Sequence, residues 1–332
     1  MRPALAGAIV AVVLSLLLTP PGRTAGKAAL LVSEQFPHIP VKPLRWMSSP
    51  PTVEQVELDA GQPILADVVI PDQRGKHPVI ILAMGVRTLD EDRPVLLGLA
   101  DTLARLGYLT MWPRSRAIEA REIFLEDPEV FVRSVLYVLE RPDVEPRRIS
   151  LVGFSIGASI ALVAAADPRI AAHVHALIFF GGYYRLVDYL TALATFEVVV
   201  EGRRMPWTPH DWAVDLAEQA LQHHGLSLED VRHAAWTSQL PPEVVQSLQR
   251  VSPDAHLQRL QAKVFILHDV SDAAVPWVES QKLQQALDPA LLGAYHISNI
   301  FEHVQFRRRF DPAMVAEVLM LSTFLYRVLD FV

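Results

Sequence analysis

A serine flanked by glycines is the residue in this chain best placed to do chemistry. It stands in Gly153-Phe154-Ser155-Ile156-Gly157. A serine hydroxyl is a poor nucleophile alone; it needs a base to take its proton and an acid to orient that base. Two side chains further along meet those needs by type and position. Asp272 follows the apolar run Val264-Phe265-Ile266-Leu267, and His303 lies in Asn299-Ile300-Phe301-Glu302-His303-Val304. Of the 12 histidines, His303 is the one that both follows the acid and falls outside a regular element. The alternative readings are a Gly-Ser turn without function and a helix cap at Asp272. For Asp269 the cap is the favoured reading.

Such a triad works only if the elements around it bring three distant side chains to one place. Arg148 to Val152 reads as a strand running into Ser155, and Ile156 to Ala166 as a small apolar helix leaving it. A sharp strand-to-helix turn excludes side chains on either side of the nucleophile. It also lifts the hydroxyl to a helix N-terminus, where developing negative charge is favoured. Val79 to Met84, Val174 to Phe180 and Lys263 to His268 are further buried-strand patterns, separated by helical spacings at Arg93 to Leu106 and Pro128 to Leu139. Gly293 to Ile297 then reads as strand and Pro312 to Leu329 as a long final helix. Alternation of this kind predicts a mostly parallel sheet with helices on both faces. Val53 to Leu58 and Ile64 to Ile70 predict an antiparallel hairpin at one edge. Between residues 185 and 261 the alternation stops. That stretch is helical in pattern and carries Trp207, Trp212 and Trp236, which predicts a cap inserted before the acid-bearing strand.

Three stretches resemble the α/β-hydrolase superfamily, and within it the dienelactone-hydrolase and prolyl-oligopeptidase-related serine esterases. They are Gln62 to Pro71 leading into His77 to Leu82, Val144 to Ser155, and His268 to Pro276. The resemblance covers Thr52 to Val332. It implies an α/β-hydrolase fold with Ser155 as nucleophile, Asp272 as acid and His303 as base. Backbone N–H groups of Ile156 and of Gly85 or Val86 would form the oxyanion hole. The sequence departs from relatives at Met84-Gly85-Val86-Arg87, where many carry His-Gly, and at Asp269, where the family has Gly. Serine also replaces the cysteine of true dienelactone hydrolases. The implied activity is hydrolysis of a carboxylic ester, or a related small acyl compound, through an acyl-enzyme. The alternatives are an exported serine peptidase with the same triad and a non-catalytic binding protein of the same fold.

Composition narrows the rest. Hydrophobic residues make up 51% and charged residues 20% of 332, enough for a sizeable core. The net charge of -7 and the brevity of Arg307-Arg308-Arg309 argue against a nucleic-acid partner. The absence of cysteine excludes disulfides and thiolate chemistry. No histidine pair has a metal-ligand setting, so no metal or cofactor is expected. Arg2 followed by the apolar run Ala4 to Leu18 predicts either a cleaved export signal or a retained membrane anchor within residues 1–25. Either reading places the protein outside the cytoplasm: periplasmic, extracellular or membrane-anchored facing outward. Residues 26–51 read as a Pro-rich linker, and folded structure is expected from residue 52.

Overall fold

The computed structural model describes residues 14, 18–36, 39–61, 63–85, 89–114, 127–222, 225–237, 241–306 and 314–332. Eight strands form one sheet in the order β1-β2-β4-β3-β5-β6-β9-β10. The hairpin of β1 (Thr52–Asp59) and β2 (Pro63–Ile70) is antiparallel and lies at the edge, as its alternation predicts. β2 pairs antiparallel with β4 (Leu109–Arg114). From there β3 (His77–Ala83), β5 (Val144–Phe154), β6 (Val174–Phe180), β9 (Lys263–Asp269) and β10 (Leu292–Ser298) continue in parallel.

The central strands carry apolar residues on both faces because both faces are covered. Val79, Ile81, Leu151, Leu177 and Ile266 point into one core, while Ile80, Leu82, Ile178, Phe265 and Leu267 point into the other. α1 (Pro20–Gln35) and α3 (Leu89–Arg105) help to cover the second face, as does α11 (Met314–Phe331). On the first face lie α4 (Asp127–Leu139) and α5 (Ile156–Ala165). A single turn, α2 (Leu44–Met47), precedes the sheet.

The N-terminal region departs from expectation. Residues 26–35, expected as linker, belong to α1, and Pro20 and Pro21 begin a helix rather than only ending one. Proline is tolerated there because the first N–H groups of a helix need no intrahelical partner, and the Thr19 hydroxyl caps the turn by accepting from Gly22 N at 3.1 Å. Ala28, Leu31 and Val32 form a buried stripe in the core shared with α11. Most of the apolar run Ala4 to Leu18 lies outside the described residues, as does Arg307 to Arg309. Among the described residues no helix is long and apolar enough to cross a membrane.

The insertion between β6 and β9 contains α6 (Leu186–Thr195), α7 (Asp211–Gln222), α8 (Leu228–Thr237) and α9 (Pro242–Arg250). It also holds a hairpin of β7 (Glu197–Val200) and β8 (Arg203–Pro206) that a helical reading does not foresee. The valine run Val198 to Val200 favours strand, and Glu201 and Gly202 both take positive φ, as a tight hairpin turn requires.

Candidate active site

Ser155 occupies the junction of β5 and α5 with φ 55° and ψ −138°. Non-glycine residues rarely adopt such a conformation, and the surrounding structure must hold it. Its N–H donates to Phe180 O at 2.8 Å, tying the turn to the end of β6. The flanking glycines allow the turn to close. A Cβ on Gly153 would stand 2.3 Å from Ala158 Cα, and one on Gly157 would stand 2.4 Å from Ala83 O.

Asp272 lies in the loop after β9, between that strand and α10 (Val278–Ala286). Its carboxylate is buried, and Oδ1 accepts from Ala274 N at 2.7 Å and Val275 N at 3.0 Å. Oδ2 faces His303 Nδ1 at 2.7 Å. A carboxylate only accepts, so Nδ1 carries the hydrogen and the lone pair is left on Nε2. Burial alone would raise the Asp272 pKa, but the charge and hydrogen bond of His303, with those of His268, outweigh it and hold the group well below the usual carboxylate range.

His303, expected in a loop, sits at the turn of a short hairpin between β11 (Phe301–Glu302) and β12 (Gln305–Phe306), with φ 58°. Phe180 and Gly181 connect the three candidate residues. The carbonyl of Phe180 holds Ser155 N, while a Cβ on Gly181 would lie 3.6 Å from Asp272 Oδ2 and 3.8 Å from His303 Cε1. The structure thus places all three at the C-terminal ends of β5, β9 and β10 and joins Asp272 to His303. Among the described residues, no hydrogen bond links the Ser155 hydroxyl to the His303 ring.

Of the oxyanion candidates, Ile156 opens α5, where the first N–H groups have no intrahelical acceptor. Gly85 packs directly on the serine, since a Cβ there would stand 2.7 Å from Ser155 Cβ and 3.1 Å from Oγ. Val86 lies outside the described residues. Among the described residues no cluster of three His, Asp or Glu could hold a metal ion.

Sequence reasoning missed several supports. His268 is fully buried at the end of β9, and its Nε2 lies 3.3 Å from Asp272 Oδ2 and 2.9 Å from Val275 O. Because the carbonyl can only accept, Nε2 is protonated; Nδ1 is then satisfied by the Ser280 hydroxyl at 2.6 Å. The available signal was a histidine closing an otherwise apolar strand, since a buried ring must find partners. Asp269 is not a helix cap. Its Oδ1 accepts from Ser271 N at 2.9 Å and its Oδ2 from Phe301 N at 2.8 Å, so it ties the acid loop to the hairpin bearing His303. The cap also docks on the acid loop. Trp207 Nε1 donates to Asp272 O at 3.0 Å, His210 N to Ala273 O at 2.7 Å, and the Tyr189 hydroxyl to Ala274 O at 2.9 Å. Trp212 faces the His303 ring with centroids 6.2 Å apart. Beneath, an apolar cavity of about 40 Å³ opens among Ile156, Leu190, Ala213, Leu216, Ala217 and Leu248.

The strand order, the strained serine between β5 and α5, and the acid and histidine after β9 and β10 together define an α/β-hydrolase fold. Solved structures bear this out. The 2,6-dihydroxy-pseudo-oxynicotine hydrolase superposes with a TM-score of 0.57 at 19% identity, over 84% of this chain and 68% of that one. A puromycin-hydrolyzing peptidase of Mycobacterium tuberculosis gives 0.54 at 18%, over 88% of this chain and 39% of that one. The acylaminoacyl peptidase of Pyrococcus horikoshii gives 0.53 at 13%, over 85% and 41%. This chain therefore spans about two fifths of the length of either peptidase. No family model and no curated protein matches the sequence. At these identities the likeness establishes the fold.

Proposed function

We propose that this chain is a serine hydrolase that cleaves small carboxylic esters through an acyl-enzyme. The observation that carries the reading is the 2.7 Å contact between His303 Nδ1 and the buried Asp272 carboxylate, on the rim that presents Ser155. In this mechanism Nε2 of His303 takes the Ser155 proton as Oγ attacks the acyl carbon. Asp272 fixes the ring and stabilises the imidazolium that forms. The N–H groups of Ile156 and Gly85 hold the charge on the carbonyl oxygen, an interaction worth about 3 kcal/mol per donor in serine hydrolases. His303 returns its proton to the departing alcohol, and water, deprotonated by the same ring, releases the acid. Approach of the substrate brings serine and histidine within hydrogen-bonding range, since such contacts tighten in the Michaelis complex.

An ester is favoured over a peptide by the apolar cavity under Ile156, whose described lining carries no carboxylate to hold a substrate amine. The test is a fluorophosphonate label on the folded protein, with p-nitrophenyl esters compared against aminoacyl anilides. Labelling at Ser155 with turnover of esters alone is the expected result. Turnover of anilides alone would make the chain a peptidase, and absence of label on folded protein would remove the catalytic reading.

A further inference from the structure

His268 is a buried, titratable group that the mechanism above leaves unused. It stands next to last in β9, four residues before the acid, and neither its side chain nor that of Asp272 has any exposure to solvent. Its ring is gripped at both nitrogens. Nδ1 meets the Ser280 hydroxyl of α10 at 2.6 Å, and Nε2 meets Val275 O at 2.9 Å. The carbonyl can only accept, so Nε2 carries the hydrogen, and the same nitrogen stands 3.3 Å from Asp272 Oδ2.

These contacts close a circuit around the acid. Val275, whose carbonyl His268 holds, donates its own N–H to Asp272 Oδ1 at 3.0 Å, beside Ala274 N at 2.7 Å. Oδ2 faces His303 Nδ1 at 2.7 Å and His268 Nε2 at 3.3 Å. An ionised carboxylate has about four acceptor sites. Here four N–H groups surround it, two on each oxygen. Burial alone would raise the pKa of Asp272; the charge of His303, then the hydrogen bond of His268, work against it. Water cannot replace a missing donor at a position sealed from solvent, so without His268 one acceptor site of Oδ2 would be left unpaired. The carboxylate could then turn or take up a proton, and either change withdraws it from His303.

We propose that His268 is a positioning residue, which holds Asp272 ionised and aimed at His303 both directly through Nε2 and indirectly through Val275. His303 then keeps the tautomer that can take the Ser155 proton. The proposal rests on the reading of Ser155, Asp272 and His303 given above, and it holds for an ester or an amide substrate alike.

The test is steady-state kinetics of H268Q, H268N and H268M, on whichever substrate the wild type turns over. Glutamine can present an N–H close to the place of Nε2. Asparagine, one methylene shorter, does not reach Oδ2, and methionine fills the space without a donor. H268N and H268M are expected to lower kcat by about ten- to a hundredfold with KM within about twofold of wild type, the scale for a lost hydrogen bond to a charged group. H268Q is expected to recover most of that loss. Circular dichroism reports folding; should H268M or H268N fail to fold, the other compared with H268Q decides the matter.

A cycle with D272A supplies a readout that packing alone would not move. With no carboxylate to hold, H268M in that background is expected to change kcat by less than about twofold. Equal losses from H268Q and H268N, a rise in KM with kcat retained, or the same loss with and without Asp272 overturns the proposal and leaves the ring a packing residue. Those outcomes arise in wild type that is active and labelled by fluorophosphonate at Ser155. Failure of the wild type to label removes the triad reading itself, and the proposal with it.

Discussion

Asp272 Oδ2 lies 2.7 Å from Nδ1 of His303 and 3.3 Å from Nε2 of His268, so one buried carboxylate oxygen orients two imidazoles. An amide at that position can offer an N–H to Nδ1 and so favour the tautomer that cannot accept the serine proton. Asp272→Asn is therefore expected to lower kcat on a p-nitrophenyl ester by about a thousand- to ten-thousandfold, with KM little changed. Steady-state kinetics measure this, and a loss below tenfold would mean that His303 is not oriented by this residue.

The same carboxylate makes stability depend on pH. Its folded-state pKa is depressed, so the unfolded chain binds more protons in acid and stability rises with pH. The contribution is fully present above the unfolded value near ~4 and is lost as pH falls through the folded one. Urea unfolding of the wild type and Asp272→Asn at several pH values is expected to show a constant stability difference above about pH 5, shrinking below about pH 4. A difference independent of pH would remove the ionised carboxylate from the native state.

Ser155 holds its place at the head of α5 at a cost in backbone strain. Its φ of 55° with ψ −138° falls in a region that only glycine enters freely. Alanine ordinarily outranks glycine in stability because glycine loses more freedom on folding. Here the order is expected to invert, with Ser155→Gly more stable than Ser155→Ala by about 1 kcal/mol and both inactive. Thermal melts of the two variants decide it; the usual order would show that the turn is relaxed.

The parallel core was legible because strands such as Val79 to Ala83 and Val264 to Leu267 are apolar runs, and Ser155 because strand and helix patterns abut it. The antiparallel hairpin was legible from alternation alone. What escaped has one physical reason in common: partners supplied by tertiary contact. His268 looks like an odd histidine at a strand end until Ser280, Val275 and Asp272 surround it. Glu279 looks like a helix-surface residue, yet it is buried and accepts from Tyr184 N and Arg185 N, both at 3.0 Å, anchoring the start of α6. Pro20 and Pro21 signal a break when only the preceding apolar run is considered. The stripe Ala28, Leu31 and Val32 that makes α1 worth forming becomes visible once α11 lies against it.

The cavity beneath Ile156 sets an expectation for substrate size. Its volume of about 40 Å³ is far below the ~150 Å³ that houses a benzene ring in an engineered apolar cavity, so it admits a short tail and no ring. Wild-type kcat/KM is expected to fall from p-nitrophenyl acetate or propionate toward hexanoate. Ala217 lines the cavity from α7 in the inserted cap and is buried, so A217L fills it from the cap. The added methylenes cost about 1–3 kcal/mol of stability through overpacking. They are expected to cut kcat/KM for propionate by about tenfold or more relative to acetate, since losing one well-packed methylene contact is worth roughly 1–3 kcal/mol. Fluorophosphonate labelling of A217L separates pocket from machinery: a label rate near wild type with altered chain-length preference places the acyl tail in this cavity. An unaltered preference in folded, labelled protein would send the tail elsewhere.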